Sequence, residues 1–266
     1  MSDKKLVLQA SDVSIVFGGL RAVSGFNCDL YEGELAGLIG PNGAGKTTMF
    51  NMLSGIYTPT EGQITFWDKK GKARNINKMS PHQLNRLGIA RTFQNIRLFG
   101  GLSVSDNVRI ALHATRQSNA LDALFRTTRF RHDEERMTAK VDQLLELFHI
   151  ENKKDELAKN LPYGEQRKLE IVRALASDPK LLLLDEPAAG MNPQETEDLM
   201  NMIAFIRKEF NLTILLIEHD MKLVMGICEK LMVLDYGKII AAGGPEEIKS
   251  NPQVIKAYLG SEAADA

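Results

Sequence analysis

The chain has 266 residues, 25% charged and 44% hydrophobic, with a formal net charge of −1. This balance suits one large α/β domain, alone or with a subdomain, and gives no reason to expect nucleic acid as a partner. The two cysteines, Cys28 and Cys228, sit far apart and form no metal-spaced cluster; they say little except that a disulfide scaffold is not in use, which fits a reducing compartment. The N-terminus lacks a signal-peptide apolar core, and no apolar run approaches the ~18 residues that would span a membrane.

Taken in order, Val13–Phe17 reads as a strand closed by Gly18-Gly19, and Ala22–Leu30 as a second. Glu34–Ile39 is a short apolar strand. Gly40-Pro41-Asn42-Gly43-Ala44-Gly45-Lys46-Thr47 follows it, and Thr48–Leu53 then reads as a helix. Gln63–Trp67 is a strand. Ser80-Pro81-His82-Gln83 opens a helix with a capping box, and Gly88 stops it. Ile89–Gln94 is expected as a strand ending in Gln94. From about 103 to 176 the pattern turns helical, over Ser103–Ala114, Asp133–Phe148 and Arg167–Ala176. Arg116–Arg131 is less regular and carries four arginines, read as a solvated face rather than a contact with a partner or lipid. Leu181–Leu184 is a continuous apolar strand, as in a parallel sheet covered on both faces. Asn192-Pro193-Gln194-Glu195 caps a helix. Leu212–Ile217 is the next buried strand, Leu231–Leu234 and Lys238–Ala242 form a hairpin-like pair, and Pro245 and Pro252 each begin a helix.

The chemistry centres on the loop at 40–47, which fits the phosphate-loop pattern in the required strand–loop–helix context. Successive N–H groups of a Gly-rich turn form a concave anion site, strengthened by the start of the next helix. The backbone of Asn42, Gly43, Ala44, Gly45 and Thr48 would line it. Lys46 would reach the β- and γ-phosphates, and the Thr47 hydroxyl would meet Mg²⁺. Asp185, at a strand end, is a second Mg²⁺ ligand, direct or through water. Glu186 is placed to polarise the attacking water. His219 ends the next strand, where it would bond the γ-phosphate. Asn152-Lys153-Lys154-Asp155 spells a guanine-recognition motif, but it follows a helical stretch rather than a buried strand and is read as chance.

Five motifs in this order resemble the ATP-binding-cassette (ABC) ATPases over nearly the whole chain. The resemblance implies an α/β P-loop fold with a RecA-like core, an N-terminal antiparallel β-subdomain and a helical subdomain. The core would take 1–94 and 177–266, and the helical subdomain 95–176. It implies ATP and Mg²⁺ as cofactors, Phe17 stacked on adenine, and Gln94 at the Q-loop, near Mg²⁺ or the water. Phe17–Leu20, Arg91–Gln94, Asp185–Pro193, Glu218–Met221, the insert around 116–135 and the tail Pro252–Gly260 are similar to the LivG type of branched-chain amino acid importer ATPase. That likeness implies leucine, isoleucine and valine import from the cytoplasmic face of the inner membrane. It also implies a LivF-like second ATPase subunit, two membrane permeases and, indirectly, a solute-binding protein. Import of other amino acids or amides, lipopolysaccharide export, and a soluble ABC ATPase remain alternatives. One departure stands out. The family's signature loop, Leu-Ser-Gly-Gly-Gln, is here Leu161-Pro162-Tyr163-Gly164-Glu165. Tyr163, Gly164 and Glu165 would face a partner's nucleotide, but Pro162 has neither hydroxyl nor N–H, and Glu165 brings a carboxylate. A heterodimer with unequal sites is the expectation.

Overall fold

The computed structural model describes residues 5–113, 122 and 125–262, with side chains to residue 258. The chain forms two compact units, one made of residues up to Gln94 and from Lys180 onward, the other of Asn95–Pro179.

The first unit holds two sheets. One is antiparallel, in the order β2 (Leu20–Tyr31), β1 (Leu6–Phe17), β4 (Glu61–Trp67), β5 (Ala73–Asn75). The other has the order β10 (Lys238–Gly243), β9 (Lys230–Asp235), β3 (Leu35–Ile39), β8 (Thr213–Ile217), β7 (Leu181–Asp185), β6 (Ile89–Arg91). Its five strands from β9 to β6 are parallel, and β10 returns antiparallel on β9. Every residue of β3, β7 and β8 is buried, as their unbroken apolar runs require. One core joins the sheets, with Phe26, Phe66, Met49, Phe50, Leu183 and Ile217 among its members.

The helices of this unit are α1 (Lys46–Leu53), α2 (Pro81–Leu87), α6 (Pro193–Glu209), α7 (Met221–Ile227), α8 (Pro245–Lys249) and α9 (Pro252–Glu262). The box at Asn192/Glu195 is complete, and at Ser80/Gln83 Gln83 Oε1 accepts both the Ser80 N–H at 2.9 Å and its hydroxyl at 3.1 Å. Gly88 ends α2 at φ +110°. Two features escaped the sequence reading. β5 is only three residues long, and α7 is seven residues started by Asp220, whose carboxylate accepts from Lys222 and Leu223 N–H. β6 is also shorter than expected. It stops at Arg91, although Thr92 N–H still donates to Leu183 O at 3.0 Å, so Gln94 lies three residues past the strand end.

The second unit contains α3 (Val104–Leu112), α4 (Thr128–Leu147) and α5 (Tyr163–Ala176). Val108, Val141, Leu144, Leu145, Leu169 and Val172 are among its buried residues. Two helices begin earlier than expected. α4 starts at Thr128 because the Thr127 hydroxyl caps Phe130 N–H at 3.3 Å. α5 starts at Tyr163 because Pro162 takes the cap position, where no N–H is needed. At α3, Ser103 caps Asp106 N–H at 3.1 Å, and its hydroxyl also donates to the Asp106 carboxylate at 2.7 Å. Part of the arginine-rich stretch, at 116–121, 123 and 124, and Ala114 at the expected end of α3, lie outside the described residues. Among the described residues no helix is long and apolar enough to cross a membrane. Both cysteines are free and buried.

Candidate functional site

The phosphate loop leaves β3, the strand with β8 on one side and β9 on the other. Glycine is required where it turns. Gly40 has φ +148°, and a Cβ there would stand 2.0 Å from Leu234 O. Gly45 has φ +104°, and a Cβ would stand 2.8 Å from Ala22 O. The hairpin after β9 fixes the loop from outside, with Gly237 N–H donating to Ala44 O at 2.9 Å. The loop delivers the chain into α1, whose N-cap, Gly45, offers no side-chain acceptor. No acidic residue sits in the first turn. The first bond of the helix is Met49 N–H to Gly45 O at 2.9 Å, so the amides of Lys46, Thr47 and Thr48 precede the ladder and face outward without helical acceptors. Positive helix-end charge and donor groups together suit a phosphate chain.

Lys46 is buried, and its Nζ donates to Gly40 O at 2.7 Å and Pro41 O at 2.9 Å. Burial lowers its pKa, and the nearby charges of Glu186 and Asp185 oppose that shift. Asn42 and Thr47 are exposed, and Ala44 is buried under the loop. Gly43, at φ +77°, has open space where a Cβ would point.

Residues from the segments that follow β6, β7 and β8 meet at one carboxylate. Gln94 Nε2 donates to Glu186 Oε2 at 2.7 Å, and His219 Nδ1 stands 3.7 Å from the same oxygen. Glu186 Oε1 takes no hydrogen bond among the described residues. Glu186 has φ +45°, a strained backbone for a residue with a side chain, held by its N–H bond to Ile217 O at 2.9 Å. The His219 side chain is 62% exposed, so a ligand can reach it. Three residues from separate segments, named from sequence for the same reaction, are thus within reach of one another.

Three further residues were not singled out from sequence. Glu218 is buried, and its carboxylate accepts Ala188 N–H at 2.8 Å and His219 N–H at 3.2 Å. It thereby pins the turns after β7 and β8 together. Burial pushes its pKa up, against the pull of those hydrogen bonds. Arg91 pairs with Asp185, Nη2 to Oδ2 at 2.6 Å, with side chains only 7% and 5% exposed. Tyr57 packs against Phe17, with ring centroids 5.2 Å apart at 70°. Phe17 keeps 42% of its surface exposed, so its ring can also receive a ligand. None of these pairings has a local sequence signal.

In the second unit, Tyr163, Gly164 and Glu165 form the first turn of α5. The Glu165 carboxylate does not stand alone. Lys153 Nζ donates to both its oxygens at 2.6 Å. Lys153 belongs to the Asn152–Asp155 segment, whose first two residues sit in a 3₁₀ turn (Glu151–Lys153) and which follows a helix, not a strand. That placement removes the guanine-recognition reading.

Mg²⁺ fits the donors present. Thr47 offers a hydroxyl at the start of α1, and Asp185 Oδ1 takes no hydrogen bond among the described residues. No group of three His, Cys, Asp or Glu residues that could hold a metal occurs among the described residues. That is consistent with a cation held by one or two protein groups and by phosphate oxygens.

A phosphate loop, a strand-end Asp-Glu pair, a Gln and a His around one parallel sheet define a nucleotide-binding ATPase, and the chain belongs to the ABC transporter family, which it matches over residues 23–189. Residues 238–264 match a second family, described as branched-chain amino acid ATP-binding cassette transporter. BraF of Pseudomonas aeruginosa, a high-affinity branched-chain amino acid transport ATP-binding protein, is 45% identical over 96% of this chain and 98% of its own length. LivG of Escherichia coli (strain K12), with the same description, is 44% identical over the same shares. Among solved structures, an ATP-binding cassette of an ABC transporter in its ADP conformation superposes with a TM-score of 0.82. It is 30% identical, over 96% of this chain and 99% of that one.

Proposed function

We propose that this chain is the ATP-hydrolysing subunit of an importer of leucine, isoleucine and valine. The observation that carries the substrate is the tail. Residues 238–264 match a family defined for branched-chain amino acid cassettes, in a chain whose full length aligns with BraF and LivG. The subunit sits at the cytoplasmic face of the cell membrane. It pairs with a LivF-like ATPase and docks on two permeases that receive solute from an external binding protein. The nucleotide-binding core takes 1–94 and 177–266, and the helical subdomain takes 95–176.

The roles proposed for the site residues are compatible with the geometry. Loop amides from Asn42 to Thr48 and the Lys46 ammonium hold the phosphates of ATP, and Phe17 stacks on the adenine. Thr47 and Asp185 hold Mg²⁺, with Gln94 as a further neighbour. The ion would neutralise phosphate charge. Glu186 accepts the proton of the attacking water at Oε1, while Gln94 keeps the carboxylate oriented through Oε2. His219 is exposed enough to reach the γ-phosphate as its charge redistributes. Tyr163, Gly164 and Glu165 close on the partner's ATP in a head-to-tail dimer. Lys153 neutralises Glu165 there, which removes the like-charge penalty but leaves Pro162 without a donor. The two sites of the heterodimer are therefore unequal.

The test is uptake of labelled leucine by cells whose only copy carries Glu186→Gln and which lack any other leucine importer. Lost uptake, restored by the wild-type gene, is the expected result. Absence of leucine uptake even with the wild-type gene overturns the substrate assignment, and unchanged uptake with the variant expressed overturns the role given to Glu186.

A further inference from the structure

Arg91 is held by more partners than its charge needs. Its Nη1 donates to Asn51 Oδ1 at 2.8 Å, on α1, and to Ser54 Oγ at 2.7 Å, at the C-cap of α1. Its Nη2 donates to Asp185 Oδ2 at 2.6 Å, at the end of β7. The guanidinium carbon lies 5.7 Å from the Phe50 ring and 5.1 Å from the Phe93 ring. Ser54 gives its own hydroxyl hydrogen to Phe50 O at 2.8 Å, so its lone pair is turned to Arg91. Only Nε has no acceptor. A planar fork with two ring contacts has one orientation here, and a lysine ammonium could not span the same acceptors.

The elements joined are the ones that carry the site. α1 opens with Lys46 and Thr47, β7 ends in Asp185, and the segment after Arg91 leads to Gln94. We propose that Arg91 is a positioning residue for metal-bound nucleotide. It engages one oxygen of Asp185, Oδ2, and thereby presents Oδ1 to the cation at a fixed place relative to Thr47. It acts through Asp185 and touches neither phosphate nor water. The inference rests on the reading of Asp185 as a metal ligand.

The experiment uses the full-length chain with ADP and Mn²⁺ in place of Mg²⁺. Mn²⁺ binding is followed by its electron paramagnetic resonance signal, and metal-free ADP binding by titration in EDTA. Arg91→Lys should leave metal-free ADP affinity within about twofold and weaken Mn²⁺ binding about tenfold, as loss of an outer partner of a metal ligand does. The double variant Asn51→Ala/Ser54→Ala frees the fork from α1 but keeps the Arg91–Asp185 pair. It should move Mn²⁺ affinity in the same direction, and it carries the test if Arg91→Lys does not fold. Asp185→Asn is the control. If it loses Mn²⁺ while the other variants bind Mn²⁺ as wild type does, the positioning role is overturned and the ligand reading stands. If Asp185→Asn keeps Mn²⁺, both fall. A proportional loss of metal-free ADP affinity in the Arg91 variant also overturns the inference, because the residue would then act on the fold at large.

Discussion

Glu186→Gln separates charge from shape. The glutamine amide oxygen can still accept from Gln94 Nε2, now 2.7 Å from the carboxylate, and the backbone bond to Ile217 O is untouched. The local cost is the difference between a charge-assisted and a neutral hydrogen bond, about 1 kcal/mol. What disappears is the group that takes the water's proton. A positioned general base contributes roughly 10²–10⁴-fold, which is about 2.7–5.5 kcal/mol of barrier. Turnover at saturating Mg-ATP should fall at least a hundredfold. Nucleotide affinity should stay within about threefold, since the amides of α1 and Lys46 are unchanged. Phosphate release and titration with a fluorescent ATP analogue measure the two quantities. Turnover above one-tenth of wild type would remove Glu186 from its role. A tenfold loss of nucleotide affinity would show that it holds the phosphates rather than the water.

Phe17→Ala should weaken ATP and ADP alike by fivefold or more in calorimetric titration, since stacking a base on an aromatic ring is worth about 1–3 kcal/mol. Tyr57→Ala should do less, because Tyr57 only braces the Phe17 ring. Burial pushes the thiols of Cys28 and Cys228 up to about 12. At pH 8 only about one thiol in ten thousand is then thiolate, so iodoacetamide should label neither until urea unfolds the chain, as read by mass spectrometry. Lys153→Ala should lower ATP hydrolysis by the assembled ATPase pair, and adding Glu165→Gln should restore it. Stability should move by less than about 1 kcal/mol, because both side chains are close to 30% exposed. Wild-type hydrolysis in Lys153→Ala would refute the neutralising role.

Much of the fold was legible because its signals are local. The runs at Leu181–Leu184 and Thr213–Ile217 have to be buried strands, and the boxes at Ser80 and Asn192 mark their helix starts within four residues. The phosphate loop is also a contiguous pattern. What stayed hidden depends on pairs distant in sequence. Arg91 and Asp185 are 94 residues apart, and no periodicity connects them. Lys153 was passed over because its motif suggested a different chemistry, and the ion pair it makes is set by how a 3₁₀ turn lies against α5. α5 begins four residues earlier than expected, at Tyr163, with Pro162 in the N-cap position although its side chain makes no capping bond.

The order of strands has a consequence for synthesis of the chain. β3 carries the phosphate loop, yet its sheet neighbours are β8, at Thr213–Ile217, and β9, at Lys230–Asp235. A ribosome must therefore deliver more than three-quarters of the chain before that strand gains its first partner. Until then its apolar residues depend on chaperones or on transient collapse for cover. A chain stalled or cut before residue 213 has the loop residues but not the sheet that shapes them.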